Sequence, residues 1–509
     1  MRLKKSLQNV SAGIFRQMLG ICLNFVNRTI FIYTLGYEYL GVNGLFGDIL
    51  SMLSVAELGI GTAIAYSMYK PMAEGDETKL YALAQIYKKT YILIGSIVAM
   101  VGVGLTPVLE FFIKDASGVR QLEAIYLLVL ANSVVSYFYS YKITLLTVAQ
   151  KAYKESLVRS FVNVIQVVGQ IVYLLLTKDY IGYLVLQLLG TLTVNVIVSR
   201  MAEREFPFIR EKRSASLEQE EKGTLIKNVR ALVLHKMGNF FVNGTDNILI
   251  SKLVGLVING IYANYLLIIR SIRGVTYLIF SALTSSVGNL NALEEKDVVL
   301  DRFYKVYFMG YWLTTFCAAS LLCLLNPFIH TMWGETLDMI VVVIIVLNFY
   351  LSEMRNPVMI FKDAMGLYWQ DRYKPLFESL VNIVASIILG KYLGILGVLI
   401  GTAISAAGVV CWLEPLVLYR HGFLRSSREY FLRYLRDGAV AIGIILLTWG
   451  ISNAMPVEGW VGIVCTAVIC LIVPNTALVL IYHRTKEYRY FVQIAVSGVN
   501  HLCKRQKTL

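Results

Sequence analysis

Charge, histidine and proline are all scarce in this 509-residue chain: 16% of residues are charged, five are His and nine are Pro. A soluble chain of this size carries about 25% charged residues, so too little polar surface exists here to cover a water-facing exterior. Acidic residues are the scarcest ions, 33 Asp and Glu against 47 Lys and Arg, for a net charge of +14. The five histidines (His235, His330, His421, His483, His501) stand far apart and show no metal-ligand spacing. The seven cysteines fall in apolar stretches or in the C-terminal tail, which argues for packing thiols and against disulfides. Apolar residues make up 57% of the chain. A nucleic-acid binder is basic and polar, whereas this chain is basic and apolar, so no nucleic-acid partner is expected.

A bilayer core of about 30 Å is crossed by roughly 20 mostly apolar residues in a helix. Fourteen such stretches are present, at 10–35, 41–69, 81–113, 120–147, 156–177, 180–200, 228–252, 258–290, 304–333, 338–361, 376–393, 396–419, 437–455 and 459–482. The first follows MRLKK, but Arg16 interrupts it and no small-x-small cleavage site follows, so it reads as a span and not a signal peptide. With the N-terminus inside, the loops expected on the inner face hold 36 Lys and Arg, those expected outside hold 5, and 6 lie within spans. That asymmetry is what the positive-inside rule demands, and it predicts N-in, C-in topology.

A shift of about 215–220 residues superimposes several strings: NGLF at 43–46 on NGIY at 259–262, LTP at 105–107 on LNP at 325–327, and SFVNVI at 160–165 on SLVNIV at 379–384. The pattern predicts an all-α integral membrane protein of two six-helix bundles related by a pseudo-twofold axis, with two C-terminal helices added. The bundles are expected at 1–201 and 228–419, joined by a cytoplasmic linker at 202–227. A basic amphipathic cytoplasmic segment at 420–436, expected to lie on the anionic inner leaflet, precedes helices 13 and 14 (437–482) and a cytoplasmic tail (483–509).

Ionised groups inside a membrane usually face a cavity or a partner. Span one carries Arg16, Gly20, Asn24, Asn27 and Arg28 at helical spacing, and span seven carries His235, Lys236, Asn239, Asn243, Asp246 and Asn247. A shift of 219 maps Arg16 to His235 and Asn24 to Asn243. Span eight places Arg270 and Arg273 on one face that extends to Tyr262 and Tyr277. Glu353 and Arg355 are expected to pair with each other. Asp48, Glu57, Asp246 and Glu353 oppose six intramembrane cations, while Glu110, Glu123, Glu378 and Glu414 lie near span ends and are expected to reach the interface. On that count at least two cations lack an internal partner, which points to an anionic ligand; guanidinium suits phosphate through its planar fork of donors.

No catalytic constellation and no cofactor motif accompany these charges, so a transporter is expected and not an enzyme. The strings LGYEYLGVNGLF (35–46), AELGIGTAI (56–64) and YKPM (69–72) resemble bacterial polysaccharide (Wzx-type) flippases of the multidrug/oligosaccharidyl-lipid/polysaccharide exporter superfamily. The resemblance implies a plasma-membrane flippase that moves a polyprenyl-diphosphate-linked oligosaccharide outward for capsule, exopolysaccharide or O-antigen assembly. It also implies a cationic cavity, membrane-lipid contact, and work alongside a glycan polymerase and other glycan-assembly proteins. On the span chemistry, Arg16, Arg28, Arg270, Arg273 and Lys236 are the candidate diphosphate ligands. Asn24, Asn27, Glu57, Asn239, Asn243 and Asp246 are the candidate polar or ion-coupling residues. A multidrug/cation antiporter of the same superfamily and a membrane glycan polymerase or ligase remain the alternatives.

Overall fold

The computed structural model describes residues 2–54, 60–114, 119–149, 151–211, 245–367, 370–454 and 458–493, with positions 219 and 223. Side chains are described from Met18 onward. Among these residues every regular element is helical, as it must be where hydrocarbon offers no partner to a free backbone N–H or C=O. The helices are α1 (Arg2–Leu53), α2 (Ile60–Glu74), α3 (Glu77–Gly104), α4 (Leu122–Tyr137), α5 (Ser140–Val148), α6 (Ala152–Thr177), α7 (Tyr180–Glu205), α8 (Asp246–Leu253) and α9 (Leu256–Leu293). They continue as α10 (Lys296–Trp333), α11 (Met339–Glu353), α12 (Asn356–Ala364), α13 (Lys374–Leu393), α14 (Ile395–Ser405), α15 (Cys411–Val417), α16 (Arg428–Asn453) and α17 (Gly459–Tyr482).

Among the described residues, ten helices are long and apolar enough to cross a membrane, and the pair α4–α5, bent by 48°, makes an eleventh when counted as one span. Three expected spans differ. The second is shared between the end of α1 and the 15-residue α2, with 55–59 outside the described residues. Most of the seventh is also outside them. The eighth is the 38-residue α9, which is not among the ten. Large apolar side chains such as Leu93, Leu176, Ile442 and Val461 are exposed on the spans, as a lipid-facing surface requires. The chain is a multi-pass membrane protein.

The chain divides into two compact units, Met1–Ala263 with Gly390–Val398, and Asn264–Leu389 with Leu399–Leu509. In the first unit, α1 breaks at Gly36 (φ 85°, ψ −178°), a left-handed conformation that glycine adopts without strain. The break ends the first span one residue after the expected Leu35. Beyond it, α1 runs against the start of α9 at a backbone-to-backbone approach. A Cβ on Gly41 would overlap the Leu256 carbonyl, and a Cβ on Gly260 would overlap the Tyr37 carbonyl. Asn259 Nδ2 donates to Gly41 O (3.2 Å) and to Ser251 Oγ (2.9 Å), fastening the contact. Gly41 and Gly260 are 219 residues apart, and so are Tyr37 and Leu256. The two close approaches are therefore related by a shift of 219 residues.

At one end of this unit, the carboxylates of Glu203 and Glu205 on α7 collect cations from α5, from the start of α6 and from the segments beside them. Glu203 binds Lys142 (2.5 Å) and Arg210 (2.6 Å), and Glu205 binds Lys151 and Lys154. Asp179 caps α7 by accepting from Ile181 N–H (3.1 Å) and Gly182 N–H (2.8 Å).

The second unit has an aromatic core: Phe303, Tyr307, Phe361, Tyr419, Phe423 and Tyr430 are all buried together. The segment 420–436 is partly built into this core. It ends a π-helical turn (Leu418–Phe423) and starts α16, turning Tyr430 into the core while Leu432 and Leu435 stay exposed. Arg433 binds Glu487 (2.8 Å) and lies 4.7 Å from the Tyr304 ring centre. The last two helices belong to the same core: Tyr482 Oη donates to buried Asp437 (2.7 Å), and Trp312 Nε1 donates to Asn475 Oδ1 (2.8 Å).

Beside that core lies a buried ionic cluster. Glu414, 1% exposed, takes a bidentate pair from Arg355 (3.1 and 3.0 Å) and a further bond from the Lys374 ammonium. Arg355 also faces Glu378 at 3.7 Å, and Lys362 pairs with Asp371. One carboxylate thus ties α15 to the start of α12 and to α13.

Two expectations follow from these contacts. Gly41→Ala or Gly260→Ala should destabilise the detergent-solubilised protein by about 1–3 kcal/mol, the usual cost of overpacking. Gly47→Ala, where a Cβ meets open space in the same helix, should leave thermal unfolding unchanged. Glu414→Gln should cost about 3–5 kcal/mol, because it leaves half-buried Arg355 and buried Lys374 without their shared counter-ion. Thermal unfolding of the purified variant checks this, with Glu77→Gln on the surface as control.

Candidate functional site

The described members of the expected polar stripe on α1 are Asn24, Asn27 and Arg28. Asn24 is exposed, and Asn27 and Arg28 are half-buried. Asn27 Nδ2 donates to Tyr183 Oη (2.8 Å), and Tyr180 Oη donates to Asn43 Oδ1 (3.2 Å). Phe31 packs edge-on against both tyrosines, at 5.3 and 5.5 Å between ring centres. The stripe therefore continues across to α7 through two tyrosines that sequence reading missed, since nothing in 180–183 distinguishes them from packing aromatics. The Arg16 side chain and residues Glu57, His235, Lys236, Asn239 and Asn243 lie outside the described residues. Asp246 is half-buried at the first position of α8. Its neighbour Asn247 donates to Asp48 Oδ2 (2.5 Å), giving that intramembrane carboxylate a partner the sequence did not indicate.

On α9, helical spacing holds in part. Arg270 and Tyr277 are exposed and Arg273 is half-exposed, whereas Tyr262 is buried. Arg273 Nε lies 3.5 Å from Glu353 Oε1, and its guanidinium sits 5.9 Å from the Phe349 ring centre. Glu353, 4% exposed, also accepts from Thr276 Oγ1 (2.8 Å) and Asn356 Nδ2 (3.0 Å). Two hydrogen bonds and one ion pair, from α9 and α12, hold this carboxylate in place.

The expected Glu353–Arg355 pair does not form. Glu353 ends α11, Arg355 precedes α12, and the turn between them sends the two side chains to different partners: Glu353 to α9, Arg355 to Glu414 and Glu378. Glu378 and Glu414 do not reach an interface; they are 3% and 1% exposed. The physical reason for Glu414 is local. It sits between two π-helical turns, Ala406–Val410 and Leu418–Phe423, which rotate the intervening segment relative to a regular helix. With Glu378 and Glu414 restored to the interior, the six intramembrane cations no longer outnumber the carboxylates by two, and a surplus counted from sequence does not identify a ligand.

What survives is positional. Among the described residues, Arg270 has no ion-pair partner, and it stands exposed on a long helix whose flanking segments are apolar. Arg273 lies one turn further on, with one edge committed to Glu353 and part of its guanidinium still accessible. Two guanidiniums on one face, one of them uncommitted, can bind a phosphate or carboxylate and repel a cation.

Comparison with known proteins places the fold. No family model and no curated relative matches the sequence. Among solved structures, the lipid II flippase MurJ in an inward closed conformation aligns with a TM-score of 0.64 at 13% identity, covering 93% of this chain and 98% of that one. An inward-facing multidrug resistance MATE family transporter of the MOP superfamily aligns with a TM-score of 0.57 at 15% identity, over 79% and 95%. The MATE multidrug transporter DinF-BH, solved as a ligand complex, aligns at 0.56 and 18% identity, over 82% and 95%. The chain thus has the all-helical fold that these MOP-superfamily flippases and transporters share.

Proposed function

We propose that the protein is a Wzx-type flippase of the bacterial plasma membrane, a transporter without catalytic activity. In this reading it has fourteen transmembrane helices with both termini inside. It carries a polyprenyl-diphosphate-linked oligosaccharide from the inner to the outer leaflet for capsule, exopolysaccharide or O-antigen assembly. The observation that carries the reading is Arg270, exposed and without an ion-pair partner among the described residues on a helix that hydrocarbon would otherwise claim. A cation so placed costs roughly 2.5–3.5 kcal/mol on insertion scales unless a cavity or a ligand receives it. The full-length likeness to a lipid II flippase supports a lipid-linked cargo, and the 35–46 and 56–64 strings support the polysaccharide class.

In this mechanism Arg270 and Arg273 grip the diphosphate, with Arg28, Arg16 and Lys236 in support, while the prenyl tail stays in the bilayer. Asp246 and Glu57 hold the cations or bind a coupling ion, and Asn24, Asn27, Asn239 and Asn243 bond sugar hydroxyls. Moving two negative charges outward across an inside-negative membrane gains about 4–5 kcal/mol per 100 mV where no other charge moves, a driving force that needs no coupling ion. A glycan polymerase and other assembly proteins receive the product.

A multidrug/cation antiporter is the second reading, favoured by the MATE likeness; Arg270 disfavours it, because an organic cation would meet a like charge. Arg270→Ala should lower glycan export at least tenfold with unchanged protein level, and Arg270→Lys should restore part of it. Full export by Arg270→Ala removes the diphosphate assignment. Collapsing the membrane potential in vesicles loaded with lipid-linked glycan should slow outward transfer several-fold. A deletion strain that becomes drug-sensitive while its lipid-linked glycan still reaches the outer leaflet favours the antiporter.

A further inference from the structure

The second unit carries a groove of about 580 Å³ that the cargo mechanism does not use, formed by α9, α10, α17 and the short helix at 486–493. Its volume falls in the roughly 300–1,000 Å³ range of small-ligand sites. Phe308, Trp312 and Phe316 form one wall, and Leu471 and Phe491 another. The indole and amide in the lining are already engaged: Trp312 Nε1 donates to Asn475 Oδ1 (2.8 Å), and Asn475 Nδ2 donates to the Leu471 carbonyl (2.7 Å). The groove therefore offers hydrocarbon contact and leaves neither group to recognise a polar ligand. Both α10 and α17 are long and apolar enough to span a membrane, so lipid is the surrounding phase.

The face of α10 that forms the wall changes character along its length. Arg302, Lys305, Met309, Trp312 and Phe316 recur at steps of three and four, one helical face that begins with two cations and continues as an apolar wall. At the cationic end, Arg302 Nη1 donates to Tyr490 Oη (2.9 Å), and the Lys305 ammonium lies 4.5 Å from the Tyr490 ring centre. Lys305 is bound to Asp301 at 2.5 Å, whereas Arg302 uses one of its five N–H donors on Tyr490 and has others to offer. Arg489 and Lys486, exposed on the 486–493 helix, add two cations that have no ion-pair partner among the described residues. Tyr490 sits beside Phe491, 5.5 Å between ring centres, so the basic end and the apolar groove are continuous.

We propose that this groove binds an anionic phospholipid. One acyl chain lies along the Phe308–Trp312–Phe316 wall, and the headgroup phosphate meets Arg302 and Arg489. The charge complementarity selects this occupant: an apolar trough alone would accept any chain, but the cations at its mouth require a negative headgroup at the water interface.

Trp312 provides the test. The full-length protein is reconstituted in phosphatidylcholine nanodiscs and titrated with acyl-brominated phosphatidylglycerol or acyl-brominated phosphatidylcholine. The Trp312 signal is taken as the difference between wild type and Trp312→Phe. Brominated phosphatidylglycerol should quench that component at several-fold lower mole fraction than brominated phosphatidylcholine. The preference should fall about fivefold for each cation removed in Arg302→Gln and Arg489→Gln. Arg489 is exposed, so the Arg489→Gln protein keeps the test open where the half-buried Arg302 variant folds poorly. Equal quenching by the two lipids, or a preference unchanged in Arg489→Gln, overturns the proposal. Displacement of brominated phosphatidylglycerol by an equimolar polyprenyl phosphate also overturns it, because the groove then serves a prenyl chain. None of these readings depends on glycan export, so failure here is distinguishable from failure of the flippase assignment.

Discussion

A charge surrounded by hydrocarbon must have company, and in the second unit that requirement concentrates on Glu414. This one carboxylate receives Arg355 through two parallel bonds and Lys374 through a third. It thereby fixes where α12, α13 and α15 meet. Its neighbours extend the same logic, with Glu378 beside Arg355 and Asp371 bound to Lys362. Such a cluster adds little net stability over a well-packed apolar replacement, but removing one member leaves an uncompensated ion, which is severe. Its effect is to specify one arrangement of helices whose apolar surfaces would otherwise pack in many ways. The aromatic core around Phe303 and Tyr430 then fills the space that the cluster defines.

The helices themselves were legible because the bilayer imposes their length and their apolar content on the sequence. Ten described helices meet that criterion alone, and the helix ends agree with the expected stretches to within a few residues along most of the chain. The approaches of Gly41 to Leu256 and of Gly260 to Tyr37 share the 219-residue shift seen in the sequence. That contact corrects the register at one place. Matching NGLF with NGIY uses a shift of 216, whereas the glycines that touch are 219 apart. Composition guided the weaker alignment; backbone proximity, which only glycine permits here, decides it.

Ion partners were not legible, and the reason is geometric. Arg355 and Glu353 are two residues apart, close enough in sequence to suggest a pair, yet the turn between α11 and α12 separates them. Glu414 lies 59 residues from Arg355 and 40 from Lys374. Two π-helical turns set its direction, and no periodicity rule for a regular helix anticipates them. A carboxylate followed by Pro415 inside an apolar stretch was the available signal, and proximity to the span end led it to be set aside. The tyrosines beside Asn27 were hidden for a different reason: an aromatic in a membrane helix is ordinarily packing, and only the 2.8 Å bond to Asn27 marks Tyr183 as part of the polar stripe.

A fold shared by a lipid II flippase and by multidrug transporters cannot by itself choose the cargo, since one scaffold hosts many functions. The choice falls to the charges the scaffold does not consume. Arg355 is consumed by the cluster, and Arg273 is partly consumed by Glu353, which is itself held by Thr276 and Asn356. Among the described residues Arg270 is not consumed: it is exposed on its helix, and the buried carboxylates of this unit are paired with other cations. A transporter for organic cations needs the opposite arrangement, a carboxylate left available and the guanidiniums neutralised. Among the described residues the group left available on α9 is positive, and that sign supports the proposed anionic cargo over an organic cation.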